Sequence, residues 1–513
     1  MLCGLFAELL DVPAVTLDDD FFLLGGHSLL VVQLAQRIEA VFGLRPPIRD
    51  LFTASTVDAL STLLAAGAQP AADADREDGD EPAEPDLEEE VRRLGDVRRT
   101  TPAGAPASSP ASTPASTSGT APASAPGAAP SATPRTGRTF LSGATGFLGA
   151  FLLRDLLEAA GEPVECLVRA RGAGDGHDRL RAALTRYGLW HPAYEDLIVP
   201  LPGDLAAPSL GLTEADLAAL SRRVGTVIHN AAAVNVVAPY TALRGPNVLG
   251  TRTLLRVAAD APAGVFHHVS STSVFAARPG AAPVVTEATA PGPVEGLAGG
   301  YGRSKWVAEG VVAAARRDGV PASVHRPARI SGDTATGACQ EDDLLWRFVK
   351  GCVQVGAVPV EAVENTSWVP VDHVSAGIVR LALDPDTAPG SDYHYTDPDA
   401  PGLPEVFAAL RRQGFELAEV PGTRWLEQVD AQEGNVAKLL LDLRADAERE
   451  AERNAERNGP GAEETLFLPV HDSSRTAAAL ARVGVPAPRI TVETVDLYID
   501  YFVRTGFLPR PKG

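Results

Sequence analysis

Between residues 102 and 134 a proline stands at nearly every fourth position, among residues that are almost all Ala, Ser, Thr and Gly. Proline lacks the backbone N–H that helices and sheets use and fixes φ near −65°, so this stretch cannot belong to a regular helix or sheet. We expect it to be extended and polyproline-like. The chain is therefore predicted to fold as a short N-terminal part and a longer C-terminal part.

An acidic run precedes the proline-rich stretch. Residues 73–90 hold eleven acidic side chains and one Arg, a composition that cannot bury itself. Together the two segments predict a disordered linker over residues 67–137. Seventy flexible residues would have a root-mean-square span of about 45 Å, enough for the N-terminal part to reach several partners. The prolines could instead bind a proline-recognition module, but no basic residues flank them.

The overall composition excludes some classes of function. The net charge of −21 argues against nucleic acid as a main partner, and no apolar run has transmembrane length. The four cysteines are far apart without CxxC spacing, which predicts reduced thiols and no metal site. We therefore expect a cytoplasmic protein that does not act at a membrane.

A serine at a helix start marks the N-terminal part. In DDDFFLLGGHSLL (18–30), two glycines and His27 precede Ser28, and Leu30, Leu34 and Ile38 then recur on one helical face. Free N–H groups at a helix start favour a phosphodiester there. Ser28 could also serve only as a helix cap.

From Arg138 onward, short apolar runs alternate with amphipathic helical patterns. This alternation predicts an α/β fold, a Rossmann-like doubly wound parallel sheet. Beyond about residue 380 the alternation fades into helices and loops. We expect an α/β core over 138–380 and a smaller, mostly helical subdomain over 381–513.

A glycine loop, GATGFLG (143–149), joins the first predicted strand of this part to a helix. Gly143 would allow a tight turn, Gly146 would let the backbone approach a pyrophosphate, and Gly149 would let helix and strand pack closely. Arg169 and Arg171 end the next strand, where a cation accommodates the 2′-phosphate of NADP; a solvated loop Arg is the alternative. The other predicted contacts of the loop are Thr145, Phe147 and Leu148.

Tyr301 and Lys305 stand four residues apart in YGRSKWVAE, on one face of a predicted helix. A neighbouring ammonium stabilises phenolate and should lower the pKa of the tyrosine. Ser271 lies within the run HHVSSTSVF (267–275), at the Ser/Thr position of the extended short-chain reductases that this part of the chain resembles, and that resemblance implies that it holds the reacting oxygen. Ser270 and Thr272 are the neighbouring hydroxyl side chains that could take this role instead. A surface Tyr–Lys pair is the alternative interpretation.

Two families resemble these motifs. Residues 2–66, with DxFFxLGGHSL, resemble the peptidyl carrier domains of nonribosomal peptide synthetases. This implies a small all-α bundle over 1–66 in which Ser28 carries 4′-phosphopantetheine, added by a phosphopantetheinyl transferase. Residues from about 138 resemble extended short-chain dehydrogenase/reductases. That resemblance adds cofactor contacts at Asp204, Leu205, Asn230, Ala231 and Ala232.

A narrower resemblance rests on HRPARISGDTATG (325–337), WVPVDHV (368–374) and YIDYFVRTGFLP (498–509). These segments look like the thioester reductase domains that end peptide synthetases and those of carboxylic acid reductases. The resemblance implies upstream condensation and adenylation modules as partners, and docking of the chain's own carrier on its reductase.

The function implied is NADPH-dependent release of a carrier-bound acyl or peptidyl thioester as an aldehyde, with possible further reduction to an alcohol. The alternatives are the carrier–reductase portion of a carboxylic acid reductase, a redox-silent cyclising release domain, and a nucleotide-sugar epimerase or dehydratase. The presence of Tyr301 speaks against the silent domain, and the attached carrier speaks against the epimerase.

Overall fold

The computed structural model describes most of the chain in separate ranges. The described residues are 1–10, 12, 14–19, 21, 24, 28–44, 46, 50–51, 54–67, 85–99, 137–235, 238–275, 284–294, 297, 299–362, 367–438 and 469–511. The proline-rich stretch, residues 25–27 and the side chain of Ser28 lie outside the described parts. No helix within these ranges has the length and apolar character needed to cross a bilayer.

The N-terminal part contains three described helices, α1 (Leu2–Leu10), α2 (Ser28–Phe42) and α3 (Val57–Gly67). Their apolar faces meet around Phe6, Ile38 and Leu60, which are fully buried. Phe21 packs edge-on against Phe6, with ring centroids 4.9 Å apart. The expected small helical bundle is therefore confirmed, and its second helix begins at Ser28.

The C-terminal part is built on a seven-stranded sheet in which every described pairing is parallel. Its strands are β1 (Arg138–Ser142), β2 (Val164–Val168), β3 (Ile198–Pro202), β4 (Val224–His229), β5 (Val265–Val269), β7 (Ala322–Pro327) and β11 (Asp392–Tyr395). The spatial order is β11-β7-β5-β4-β1-β2-β3. The predicted doubly wound sheet is confirmed.

Short strands add three smaller parallel pairs. β8 (Arg329–Ser331) pairs with β10 (Trp368–Pro370), and β9 (Ala357–Pro359) pairs with β12 (Ala418–Val420). β6 (Val284–Val285) pairs with β13 (Val470–His471). This pair joins a segment that follows β11 in the chain to the segment between β5 and β7.

Helices cover both faces of the sheet, because parallel strands with buried faces need apolar cover on each side. One apolar core contains α5 (Phe147–Ala160), α6 (Ala173–Arg186) and α12 (Val371–Leu383). The other contains α7 (Glu214–Arg223), α9 (Gly250–Asp260) and α10 (Gly299–Arg317). The remaining helices are α8 (Tyr240–Arg244), α11 (Leu344–Val355), α13 (Leu403–Arg412), α14 (Gly422–Ala431), α15 (Ser474–Arg482) and α16 (Val492–Thr505).

The boundary expected at residue 380 is corrected by the structure. β11 lies beyond it and forms the edge of the central sheet against β7, with Tyr393 opposite His325. Its four residues include Asp392 and His394, so the strand lacks the apolar run that marked the others. His394 is buried and Asp392 is half-buried, and both are hydrogen-bonded within the fold, because Arg326 donates to each of them.

The expected linker is also corrected in part. Within 67–137, the residues Leu87–Leu94 form a helix, α4, that packs on the C-terminal part of the chain. The acidic composition concealed this helix, because the sequence pattern alone did not show the partners of its acidic side chains. Asp86 caps the helix by accepting hydrogen bonds from the N–H groups of Glu88 and Glu89, each 3.0 Å long. Leu87 and Leu94 face the core and are buried.

Candidate active site

The order in which the chain adds strands to the sheet reverses between β1 and β4. The chain runs from β1 outward to β2 and β3, then crosses back to place β4 on the other side of β1. In an open parallel sheet, ligands bind outside the carboxyl ends of the strands at such a switch point. The glycine loop follows β1, and Asn230–Ala232 follow β4, so both predicted motifs meet at this crevice.

The structure gives a different reason for glycine at each of the three positions of the loop. Gly143 has φ +78°, and a Cβ there would lie 2.7 Å from the Ala231 nitrogen. A Cβ on Gly149 would lie 1.8 Å from the Gly143 carbonyl oxygen, so α5 and the loop could not pack with a larger residue. A Cβ on Gly146 would meet only the Gly143 oxygen, at an ordinary 3.5 Å.

Gly146 is therefore not required by packing within the protein. It stands at the N-cap of α5 without any side-chain cap, which leaves the first helical N–H groups open. Open N–H groups at a helix start, on a backbone without side-chain cover, fit the pyrophosphate of a dinucleotide. Phe147 and Leu148 bury their side chains in the core, so they face such a ligand through their backbone, whereas the Thr145 side chain is exposed.

Three arginines meet at the carboxyl end of β2. Arg169 and Arg171 are exposed, and Arg179 from α6 donates to the Arg169 carbonyl oxygen over 2.5 Å. Asp175 accepts from the Arg171 backbone over 2.9 Å, and this hydrogen bond lowers the pKa of the Asp175 carboxyl. The sequence pattern indicated only the first two cations. Arg179 was missed because it lies nearly two helical turns into α6, away from the strand end in the sequence.

Several of the remaining predicted cofactor residues make contacts within the protein that stabilise the fold around the crevice. The Asp204 carboxylate accepts from the Ala206 N–H over 2.9 Å and shapes its own turn. Leu205 packs so close to α9 that a Cβ on Gly250 would lie 2.5 Å from it. Asn230 donates to the Gly143 carbonyl oxygen over 3.4 Å, and the Ala231 N–H donates to Ser142 over 3.2 Å.

Lys305, Tyr301 and Ser271 come together around the end of β5. Lys305 is buried, and its Nζ donates to the Val269 carbonyl oxygen over 2.8 Å. Ser271 follows two residues later and caps a short turn by accepting from the Ser273 N–H over 3.2 Å. A Cβ on Gly302 would lie 3.2 Å from the Ser273 carbonyl oxygen, so the turn of α10 that carries Tyr301 contacts this same segment.

The pKa values in this structure differ from the expected lowering of the tyrosine pKa. Burial raises the pKa of the Tyr301 phenol to about 12. Burial also lowers the pKa of the Lys305 ammonium to about 8, against the opposing effect of the Glu309 carboxylate. The direction for Tyr301 is opposite to the expected one because burial of the phenol disfavours its charged form. A phenol that stays protonated at neutral pH is suited to donate a proton.

The serine-rich strand end separates into two environments. Ser270 is buried, its N–H donates to the His325 carbonyl oxygen over 2.7 Å, and its hydroxyl has no hydrogen-bond partner among the described residues. Ser271 is half-buried at the edge of the crevice. Of the two, Ser271 is therefore the one placed to meet a ligand.

A buried hydrogen-bonded chain links the nucleotide crevice with the tyrosine helix. Ser142 bonds His229 over 2.7 Å, and His229 bonds Thr251 over 2.8 Å. Thr251 donates to the Asn247 carbonyl oxygen over 2.6 Å. Asn247 also donates from its side chain to Ser304 over 2.9 Å.

The chain ends at the turn that carries the tyrosine, where Ser304 donates to the Tyr301 carbonyl oxygen over 2.8 Å. Asn247 sits in a single π-helical turn, Gly245–Leu249, and also holds both backbone groups of Ala233. Sequence reasoning missed Asn247, and the signal was an Asn shortly after Gly-Pro inside a helical pattern. Among the described residues no cluster of His, Cys, Asp and Glu could hold a metal.

The N-terminal bundle contacts the C-terminal part at the tyrosine. Its apolar cluster extends to Ala238 and Leu243, which are buried, and to Tyr301 at its margin. A Cβ on Gly300 would lie 2.4 Å from the Ala238 carbonyl oxygen, so the start of α10 and this contact surface form one packed unit. The N-terminal bundle thus lies against the C-terminal part, next to the candidate acid.

Comparisons with known proteins match both parts of the chain. Residues 2–64 match the phosphopantetheine attachment site family, and residues 141–378 match the male sterility protein family of NAD-binding domains. The chain is 33% identical over 511 residues to a linear gramicidin synthase protein of Brevibacillus parabrevis. That alignment covers 99% of this chain and 9% of the synthase, so the chain corresponds to a small part of the larger protein.

Solved structures extend the comparison. The terminal R domain from the myxalamid biosynthetic pathway has a TM-score of 0.64 and 36% identity, covering 74% of this chain and 93% of that one. An archaeal thiolation–reductase didomain shares the fold over 99% of this chain and 97% of that one, with a TM-score of 0.59 and 19% identity. The chain belongs to the carrier–reductase family of nonribosomal peptide synthetases, with an N-terminal phosphopantetheine attachment domain and a terminal reductase domain.

Proposed function

We propose that this chain releases an acyl or peptidyl thioester from its own carrier by NADPH-dependent reduction to an aldehyde. One observation carries the proposal: Tyr301 lies on the same helix face as Lys305 and also at the margin of the apolar cluster shared with the carrier. The carrier-docking surface consists of Ala238 and Leu243, with Tyr301 at its margin. A carbonyl group brought by the carrier would need its proton donor at this surface. Upstream synthetase modules, a phosphopantetheinyl transferase and a cytoplasmic location belong to this proposal.

The dinucleotide would be held by the open start of α5, the Gly143–Gly149 loop and the arginines that follow β2. Bound there, the nicotinamide supplies a hydride for the carbonyl carbon. The acyl group would be attached to Ser28 through the phosphopantetheine arm. Ser28 is the first residue of α2, so the N–H groups of that helix start are available to the phosphate of the arm.

The residues of the chain then act on the carbonyl oxygen. Ser271 and Tyr301 donate hydrogen bonds to the oxygen as negative charge develops on it, and Tyr301 gives up its proton. Lys305 supports the tyrosine: its ammonium, fixed on the Val269 carbonyl oxygen, favours the phenolate left behind. Collapse of the resulting hemithioacetal breaks the C–S bond and frees the carrier thiol and the aldehyde.

Product analysis tests this function. The chain is first loaded with a short acyl group by a phosphopantetheinyl transferase and then given NADPH. We expect an aldehyde, or the alcohol from a second reduction, together with matching oxidation of NADPH. Release of a free acid or a cyclised product without NADPH oxidation would show a redox-silent release domain instead.

Cofactor preference is expected to depend on Arg169. An exposed guanidinium at the end of β2 forms a charge-assisted contact with a 2′-phosphate. Losing it in Arg169→Ala should cost about 1.5–3 kcal/mol, mostly in NADPH affinity, with little change for NADH. Fluorescence titration of both cofactors measures this.

The matched control for that substitution is Arg181→Ala. This arginine lies on α6, pairs with Glu195 at 3.6 Å and stacks over Trp190, so it should not affect either affinity. Equal affinities of the parent chain for NADPH and NADH would contradict the proposed preference.

A further inference from the structure

The short helix α4 is joined to the reductase by tight packing. Val91 lies so near α10 that a Cβ on Gly310 would come within 2.7 Å of its side chain. One turn on, a Cβ on Gly95 would lie 2.6 Å from the Ala314 side chain. Glycine at both positions lets α4 lie close against the helix that carries Tyr301.

Polar contacts fix α4 in addition to its apolar face. Glu90 is only 3% exposed and forms an ion pair with Arg244. Arg252 donates to the Leu94 carbonyl oxygen over 3.0 Å, and Arg99 donates to the Pro262 carbonyl oxygen over 3.0 Å. A buried carboxylate with a charged partner is strongly destabilised when the partner is lost, so the pair opposes detachment of α4.

The contacts of α4 reach the surface on which the carrier lies. Arg244, the partner of Glu90, is the last residue of α8. The residue before it, Leu243, is buried in the apolar cluster of the carrier. The segment that leads from the carrier into the reductase is therefore attached beside the carrier-docking surface.

We propose that residues 85–99 are an anchor that shortens the connection between carrier and reductase and favours reduction of the chain's own carrier over that of another chain. The inference rests on the proposed function. Between Gly67 and Leu87 lie about 19 residues, which span at most about 65 Å even when fully extended. Without the anchor, about 70 residues would separate Gly67 from Arg138.

The anchor has a measurable consequence. For a flexible connection, the effective concentration of one end at the other falls as the −3/2 power of the number of residues. Lengthening the connection from about 19 to about 70 residues therefore lowers it about seven-fold. Adding 50 residues to a connection that already has about 70 lowers it only about two-fold.

Two insertions test the anchor without changing any packed residue. A Gly/Ser segment of about 50 residues is placed either between Gly67 and Leu87 or between Thr100 and Gly137. Each active chain, loaded with a light acyl group, is mixed with a Tyr301→Phe chain loaded with the deuterated acyl group. The ratio of light to heavy aldehyde then compares two rates: reduction of the carrier on the active chain and reduction of the carrier on the Tyr301→Phe chain.

We expect the first insertion to lower this ratio about seven-fold and the second to leave it unchanged. An equal fall of about two-fold with both insertions, or no fall with either, would overturn the anchor. Absence of both aldehydes from the parent chain would count against the proposed function, and not against the anchor.

A substitution provides a second route to the same answer. Leu94→Asp places a charge in the buried face of α4 and should lower the ratio about seven-fold while heavy aldehyde still forms. The matched control is Glu88→Gln, on the exposed face of the same helix, which should keep the parent ratio. A parent ratio in Leu94→Asp, with full formation of heavy aldehyde, would contradict the proposal.

Discussion

Tyr301→Phe should lower the rate of thioester reduction by about 10²–10⁴-fold while NADPH still binds. The substitution keeps the ring, and with it the apolar contact to the carrier cluster, but removes the proton that the developing oxyanion takes. Single-turnover reduction of a short pantetheine thioester measures the effect without any contribution from carrier docking. A near-parental rate in the folded variant would overturn the role of Tyr301.

Tyr498→Phe is a suitable matched control. Its hydroxyl donates to the Gly332 carbonyl oxygen over 2.9 Å and also bonds the Ser331 hydroxyl over 3.3 Å, in the core. Losing these two buried hydrogen bonds should lower the free energy of unfolding by about 1–3 kcal/mol and leave the rate unchanged. The two tyrosines thus separate a chemical role from a packing role.

Lys305 gives the same proposal a pH dependence. A lysine is charged below its pKa, and that of Lys305 is about 8, so a reaction that needs the ammonium should run fully below pH 8 and fall above it. The pH profile of kcat/KM reports groups of the free enzyme and should show this fall. In Lys305→Ala the residual activity should be lower, and its pH profile should not show the fall above pH 8.

Ser28→Ala should abolish attachment of phosphopantetheine, because the alanine methyl group offers no oxygen for the phosphodiester. Intact mass after incubation with a phosphopantetheinyl transferase and coenzyme A measures the attachment. Carrier-bound reduction should disappear with it. Reduction of a free pantetheine thioester should remain, since the reductase residues are unchanged.

Ser61→Ala is the matched control in the same bundle. Ser61 is exposed on α3, where its hydroxyl donates to the Asp58 carbonyl oxygen over 2.8 Å. This variant should take up the full mass of the group. The full mass increment on Ser28→Ala would show that another residue carries the arm.

The features that the sequence predicted correctly are local ones. The glycine loop, the helix that ends at Gly161 and the apolar strands of the sheet each depend on residues a few positions apart. Gly161 has φ +60°, the left-handed conformation that ends α5 and that glycine adopts at little cost. The second carrier helix, which begins at Ser28, likewise follows from short-range periodicity and a glycine-rich approach.

The features that the sequence did not show depend on distant partners. β11 pairs with β7, where Arg326 donates to both Asp392 and His394, and no pattern within the strand indicates that pairing. The pKa of Tyr301 follows from the burial that the fold and the docked carrier impose, whereas the spacing to Lys305 suggested the opposite direction.

By itself, then, the sequence determined the order of the parts, the serine at the start of the second helix, the glycine loop and the Tyr–Lys spacing, because periodicity, glycine and proline act within one or two turns of chain. Tertiary structure decided that part of the expected linker forms a packed helix, which strand forms the edge of the sheet beside β7 and which cations lie near the end of β2. Those outcomes depend on contacts such as Glu90 with Arg244, 154 residues apart, whose partners only the folded chain brings together.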